Sequence, residues 1–296
     1  MHITQFTDYL SLEKKYSLHT VNAYVKDVTS FSEFCKSTFS NEEIDEVSYH
    51  QIRNWIVALV EEGVSNRSIN RKVASLKAYY KYLLKIKIIE FNPLAKHKAL
   101  KTSKKIEVPF SEKEMESVLI AVDFEDTFEG WRDKLIIELF YATGMRRSEL
   151  INIKLNDIDF SACQIKILGK RNKERIVPLL NSVLQNIQKY LVFRENVFGN
   201  QELGYLFLLS SGNKLYDTFV YRVINSYFSK ASLKEKKSPH VLRHTFATHI
   251  LNKGADLNSV KELLGHSSLA STQVYTHNSI NELKNVYKNA HPRNKK

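Results

Sequence analysis

Residues 90 to 109, EFNPLAKHKALKTSKKIEVP, constrain this chain more than any other stretch. They hold two prolines, five lysines and few apolar residues, and they interrupt a clear helical periodicity. A segment so poor in core-forming side chains reads as a connection rather than an element. The 296 residues therefore divide into a helical domain over 1–89, a basic linker over 90–109 and a second domain over 110–296. With 43% hydrophobic residues, both parts have the material for a packed core.

The first part repeats one pattern. ITQFTDYLSLE places Ile3, Phe6, Tyr9 and Leu10 on one face. SLHTVNAYVKDVTSFSEFC follows, with Ser17 or Thr20 as cap and Val21, Tyr24, Val28, Phe31 and Phe34 as its stripe. SYHQIRNWIVALVEEG carries Ile52, Trp55, Ile56 and Leu59, and Gly63 is a natural stop. A fourth helix starts at Ser65 or Asn66, and nothing in this part reads as a strand.

The second part is mixed. SEKEMESVL matches a capping box through Ser111 and Glu114, and DKLIIELFYATG reads as a buried helix ending at Gly144. CQIKIL and ERIVPL read as strands joined by the polar turn GKRNK, and LFLLSSGN as a further strand candidate. From Asp217 onward the pattern is helical again. The fold class expected is mainly α with a small antiparallel sheet in the C-terminal domain.

The chain carries a formal charge of +12, which asks for a polyanion, nucleic acid first and an acidic membrane surface second. The charge is not spread evenly. Arg67, Arg71, Lys72, Lys77, Lys81, Lys85 and Lys87 follow one another with no acidic residue before Glu90. Exposed helix faces usually mix signs, because like charges at i,i+4 repel mildly. A phosphate backbone offsets that cost by counterion release, and Lys101 and Lys104 of the linker extend the same track. An ordinary solvated face is the competing reading. Cys35 and Cys163 are the only cysteines, so no disulfide framework or paired-cysteine metal knuckle is available. No stretch approaches the ~18 apolar residues of a membrane span, and MHITQFTDYLSLEKK, amphipathic and charged early, is not expected to act as a signal peptide. A cytoplasmic protein is expected.

Four places carry chemistry. In SPHVLRH, Ser238 caps a helix and Pro239 takes its first turn, which puts His240 near the positive end of the helix dipole with Arg243 on the same face. Arg grips oxygens with a planar fork and His moves a proton near neutral pH, so the pair suits a phosphate. Zinc is disfavoured, since Val241 stands where a zinc protease has Glu and Arg243 repels a cation. A purely structural helix start with a surface Arg stays open. In ATGMRRSEL, Arg146 and Arg147 follow Gly144, and Glu149 is placed to hold one of them. GKRNKER puts Lys170 at a hairpin tip, a place that is usually only a solvated turn. LLGHSSLASTQVYTH brings His266 and then Tyr275, whose phenol is a nucleophile toward phosphorus if cations stabilise the developing charge, and a core residue otherwise.

Together ATGMRRSEL, GKRNKERIVPL, SPHVLRHTFATHILNKGADLNSVKELLGHSSL and STQVYTH resemble, in order and spacing, the tyrosine recombinases of the phage integrase family, and the bacterial Xer type above all. SLHTVNAYVKDVTSFSEF and AHPRNKK are similar to that type too, so the resemblance spans nearly the whole chain. It implies a two-domain C-clamp with the tyrosine recombinase catalytic fold. It implies a catalytic set of Arg146, Lys170, His240, Arg243, His266 and the nucleophile Tyr275. It implies cutting and rejoining of duplex DNA through a 3′-phosphotyrosyl link at a dif-like site, with no metal, ATP or other cofactor. The implied partners are a specific core site, a homo- or hetero-tetramer with a second recombinase, and a cell-division DNA translocase. The tail NSINELKNVYKNAHP is expected to dock on a neighbouring protomer, with docking on its own core as the alternative. Three other readings compete: an integrase or invertase of a mobile element, a catalytically silent DNA-binding protein on the same fold, and a type IB topoisomerase.

Overall fold

The computed structural model describes residues 2–40, 43–103, 107–169, 172–199, 204–265, 287 and 289–294. The chain forms two compact units, Met1–Lys105 and Ile106–Lys296.

In the first unit α1 (Ile3–Asp8) runs on into a wide turn over Tyr9–Glu13, followed by α2 (Leu18–Phe39), α3 (Tyr49–Glu61) and α4 (Asn66–Lys85). Ser17 caps α2 and Ser65 caps α4, each accepting from a backbone N–H three residues on. The apolar stripes meet in one core, with Phe31, Ile52, Leu76, Tyr79, Tyr80 and Leu83 fully enclosed. The buried phenols find acceptors: Tyr79 donates to Asp45 and Tyr80 to the Ile44 carbonyl. Residues beyond α4 do not trail off. Leu94 is buried in this core, Asn70 exchanges two hydrogen bonds of 2.9 Å with the Leu100 backbone, and Asn66 donates to the Lys101 carbonyl.

The second unit opens with α5 (Glu112–Glu116), where Ser111 and Glu114 form the capping box read from the sequence. Its centre is α6 (Phe128–Thr143), buried on every side from Leu135 to Thr143. Gly144 ends it at φ +58, and a Cβ there would lie 2.3 Å from Phe246 Cδ1, so only glycine fits. Next come α7 (Arg147–Asn152) and a three-stranded antiparallel sheet of β1 (Ile158–Asp159), β2 (Gln164–Leu168) and β3 (Glu174–Pro178), in the order β1-β2-β3. β2 and β3 form the hairpin around GKRNK, with Ile167 opposite Arg175 and Leu168 opposite Glu174. Then follow α8 (Asn181–Phe198), α9 (Asp217–Ala231), α10 (Pro239–Asn252) and α11 (Leu257–Leu264).

The strand candidate LFLLSSGN needs correcting. Within it only Leu208 makes a bridge, to Lys214, with a second isolated bridge from Lys154 to Tyr205 just before it, because the chain turns back at Gly212 before a ladder builds. Leu206, Phe207 and Leu208 are buried all the same.

Of the tail, Ile280, Leu283 and Val286 lie outside the described residues. The residues from Tyr287 onward that are described pack on their own unit. Tyr287 donates to the Ala142 carbonyl at 2.7 Å, His291 lies 3.2 Å from the Tyr141 carbonyl, and Arg293 pairs with Glu138 at 3.0 Å. Glu138 is wholly buried, and Asn186 donates to its other oxygen. Among the described residues no helix is long and apolar enough to cross a membrane.

Candidate active site

The sharp stop at Gly144 delivers the first site residue. Arg146 stands at the N-cap of α7, and Glu149, three residues on, closes the turn. The Arg146 N–H donates to Glu149 Oε2 at 2.8 Å and its Nη1 donates to Oε1 at 2.7 Å. Arg147 turns away and donates to Asp217. Of the adjacent arginines, Arg146 is thus the one drawn into the site.

Arg243 arrives from α10, which Ser238 caps and Pro239 starts. It is no surface Arg: it is only 8% exposed, and its two Nη groups donate at 2.7 Å to the carbonyls of Gly144 and Leu264. Burial, with the positive charges of Arg146 and Arg175 beside it, pushes its pKa down to about 10, against the pull of Glu149. His240 lies one turn earlier on α10 and is well exposed, with Nε2 3.7 Å from Glu107 Oε2. Its solvent-facing ring is accessible to a ligand.

A third arginine, Arg175 of β3, completes the group. Its side chain is 5% exposed, Nε donates to the Leu263 carbonyl at 2.9 Å and Nη2 to Glu149 Oε2 at 2.7 Å. Arg146 Nη2 meanwhile reaches the Gly265 carbonyl at 3.2 Å. Three successive carbonyls at the end of α11 (Leu263, Leu264, Gly265) therefore accept from three different arginines. Those carbonyls sit at the negative end of the α11 dipole, so guanidinium groups are suited to cap them. Gly265 adopts φ +63, and a Cβ there would come 3.1 Å from Arg175 Cδ.

Arg175 was missed by motif reading. The available signal is strand alternation: Arg175 and Val177 are buried and Glu174 is exposed, so an Arg occupies an inward position and needs a buried partner. Among the described residues, three cations, Arg146, Arg175 and Arg243, surround the Glu149 carboxylate, a net positive surplus in a largely buried place. Chemically, such a surplus can hold a phosphodiester while negative charge grows on it.

Lys170, His266 and Tyr275 lie outside the described residues, as does Lys104. Of the other expected DNA-binding residues, Arg67, Lys77 and Lys101 are exposed on the first unit. Arg71 and Lys72 are engaged internally. Both Nη groups of Arg71 donate to Asp27 of α2, Lys72 Nζ lies 3.5 Å from the same carboxylate, and Ser75 donates to it at 2.8 Å. Asp27 is 1% exposed, so these cations answer a buried charge, while Arg71 keeps half its side chain in solvent.

The whole chain is similar to known proteins. Residues 119–282 match the phage integrase family and residues 3–87 its N-terminal SAM-like domain. Tyrosine recombinase XerC of Anoxybacillus flavithermus is 41% identical over 97% of this chain and 96% of that protein. XerC of Staphylococcus aureus (strain USA300) is 38% identical over 98% of this chain and 96% of that protein. The fold is that of the XerH site-specific recombinase bound to palindromic difH substrate (TM-score 0.72, 21% identity, 95% of this chain and 79% of that one). It is also that of a lambda integrase dimer bound to a COC' core site (TM-score 0.70, 17% identity, 90% of each chain). The chain belongs to the phage integrase family and is a tyrosine recombinase of the Xer type, an enzyme that cleaves and rejoins DNA.

Proposed function

We propose that the enzyme resolves chromosome dimers at a dif-like site in the cytoplasm, with Tyr275 as nucleophile. The observation that carries the chemical part is the buried surplus of guanidinium charge around Glu149. Tyr275 attacks the scissile phosphorus, giving a 3′-phosphotyrosyl link and a free 5′-hydroxyl. Arg146 and Arg243 bind the non-bridging oxygens as the pentavalent state gains charge. His240 assists proton transfer from the phenol, Lys170 protonates the leaving 5′-oxygen, and His266 donates a hydrogen bond to the phosphate. The phosphodiester energy stays in the covalent link, so resealing by a partner strand needs neither ATP nor metal.

Residues 110–296 carry the chemistry in this reading, and residues 1–89 with the segment 90–109 hold the duplex. Arg67, Lys77, Lys101 and Lys104 meet phosphates, while Arg71 and Lys72 present a face already ordered by Asp27. Two sites and four protomers make the synapse, with a second recombinase as partner and a cell-division translocase as the trigger. The XerC relatives and the difH-bound XerH structure support the choice of site.

The test is a nicked suicide duplex carrying the chromosome's dif-like sequence, without metal or ATP. Wild type and Tyr275→Phe are compared on a denaturing gel for a covalent adduct. An adduct with wild type alone is the expected result. An adduct with both proteins overturns the nucleophile, and cleavage at a mobile-element junction but not at the dif-like site overturns the chromosomal role.

A further inference from the structure

Burying a guanidinium in a small sheet is costly, and an apolar side chain opposite Ile167 would fill the same space without that cost. Yet the hydrogen bonds of Arg175 run to the groups around which the site is built, the Glu149 carboxylate and the end of α11. Glu149 Oε2, the oxygen that takes Arg175, also accepts the backbone N–H of Arg146, while Oε1 takes the Arg146 side chain. The carboxylate is thus divided between two guanidinium groups. Alone with Arg146 it would cancel that charge. Shared, it aims Arg146 and leaves it a net positive potential for an incoming phosphate.

We propose that Arg175 is a positioning residue of DNA cleavage, which sets Arg146 through the shared Glu149 carboxylate and ties the β2–β3 hairpin to the end of α11. The inference rests on the reading of Arg146 as a phosphate clamp. The two elements it joins are those whose sequences run into Lys170 and His266. One side chain thereby relates the hairpin, the start of α7 and the end of α11. A lysine in its place retains the charge but lacks the fork that bonds a carboxylate and a carbonyl together.

The test uses full-length protein and a nicked suicide duplex that wild type converts to adduct, so a wrong target site shows in the wild-type lane alone. Cleavage rate at saturating protein and duplex affinity are measured for Arg175→Lys, Arg146→Lys and the double variant, with thermal melting of each. Positioning predicts that Arg175→Lys cleaves at least ~10-fold more slowly while affinity stays within about threefold of wild type. In the Arg146→Lys background the further loss shrinks to under about threefold, because the two act as one unit. The same loss in both backgrounds overturns the proposal. So does a loss confined to affinity, an unchanged rate, or a rate that merely follows the melted fraction. If Arg175→Lys is too unstable to assay, Arg175→Gln, which retains a planar donor, is judged by the same criteria.

Discussion

Arg243 donates to the carbonyl of Gly144 at 2.7 Å, across 99 residues of sequence. One guanidinium thereby joins the start of the His-x-x-Arg helix to the stop that precedes Arg146, and its second bond holds Leu264. Arg243→Lys cannot make both bonds. Adduct formation is expected to fall by about 10² or more, with duplex affinity changed only a few-fold. A single-turnover suicide assay beside a mobility-shift titration checks this. A large loss of affinity at an unchanged cleavage rate would show that Arg243 acts in binding alone.

Gly144 allows a second prediction. Alanine there would be strained at φ +58 and would drive its methyl into the Phe246 ring. Gly144→Ala is expected to lower stability by at least ~2 kcal/mol and to displace Arg146 from the site. Chemical denaturation and the cleavage assay read the two effects. A fully stable, fully active variant would contradict the packing described.

The first unit yields a pair of opposite effects. Asp27→Asn removes the charge that engages Arg71 and Lys72, leaving both cations for DNA. Binding to random duplex is expected to steepen in its salt dependence by roughly 1–2 in log–log slope, with less discrimination between sequences. Lys77→Ala, on the exposed face, is expected to flatten that slope by about 1. Titrations at several salt concentrations decide it. If the two variants shift the slope in the same direction, Asp27 does not restrain those cations.

His291 provides the pH dependence. Burial pushes its pKa from 6.5 down to about 4, so the folded chain keeps it neutral while an unfolded chain protonates it near 6.5. Its stabilising contribution is complete above pH 6.5 and is lost as the pH falls toward 4. The full size is on the order of 3 kcal/mol, with buried His249 adding in the same direction. Calorimetry from pH 7.5 to 5 is expected to show a falling Tm for wild type and a shallower fall for His291→Gln. Equal slopes would place the acid sensitivity elsewhere.

Local signals in the sequence carried most of the fold. Ser17, Ser65, Ser111 and Ser238 cap the helices they precede, and Gly144 stops α6, because caps and stops depend on a few adjacent residues. Arg146 and Arg243 stood out through motif spacing. What stayed hidden depends on distant partners. Nothing near Arg71 in the sequence announces Asp27, 44 residues away, and nothing near Arg175 announces Glu149 or Leu263. The hairpin's alternation marks Arg175 as inward but cannot say what receives it. LFLLSSGN has strand-like residues yet lacks a continuous neighbour to pair with, a property of topology rather than of composition.

The seating of Arg293 against the fully buried Glu138, with Tyr287 on the Ala142 carbonyl, also bears on how the protein is made. The first unit closes its core with residues available early in translation, so it is free to fold while the rest of the chain is still being synthesised. The second unit is not. Its central helix carries a carboxylate whose arginine partner lies 155 residues further along the chain. A nascent chain is therefore free to fold its first unit well before the second can close the core around α6.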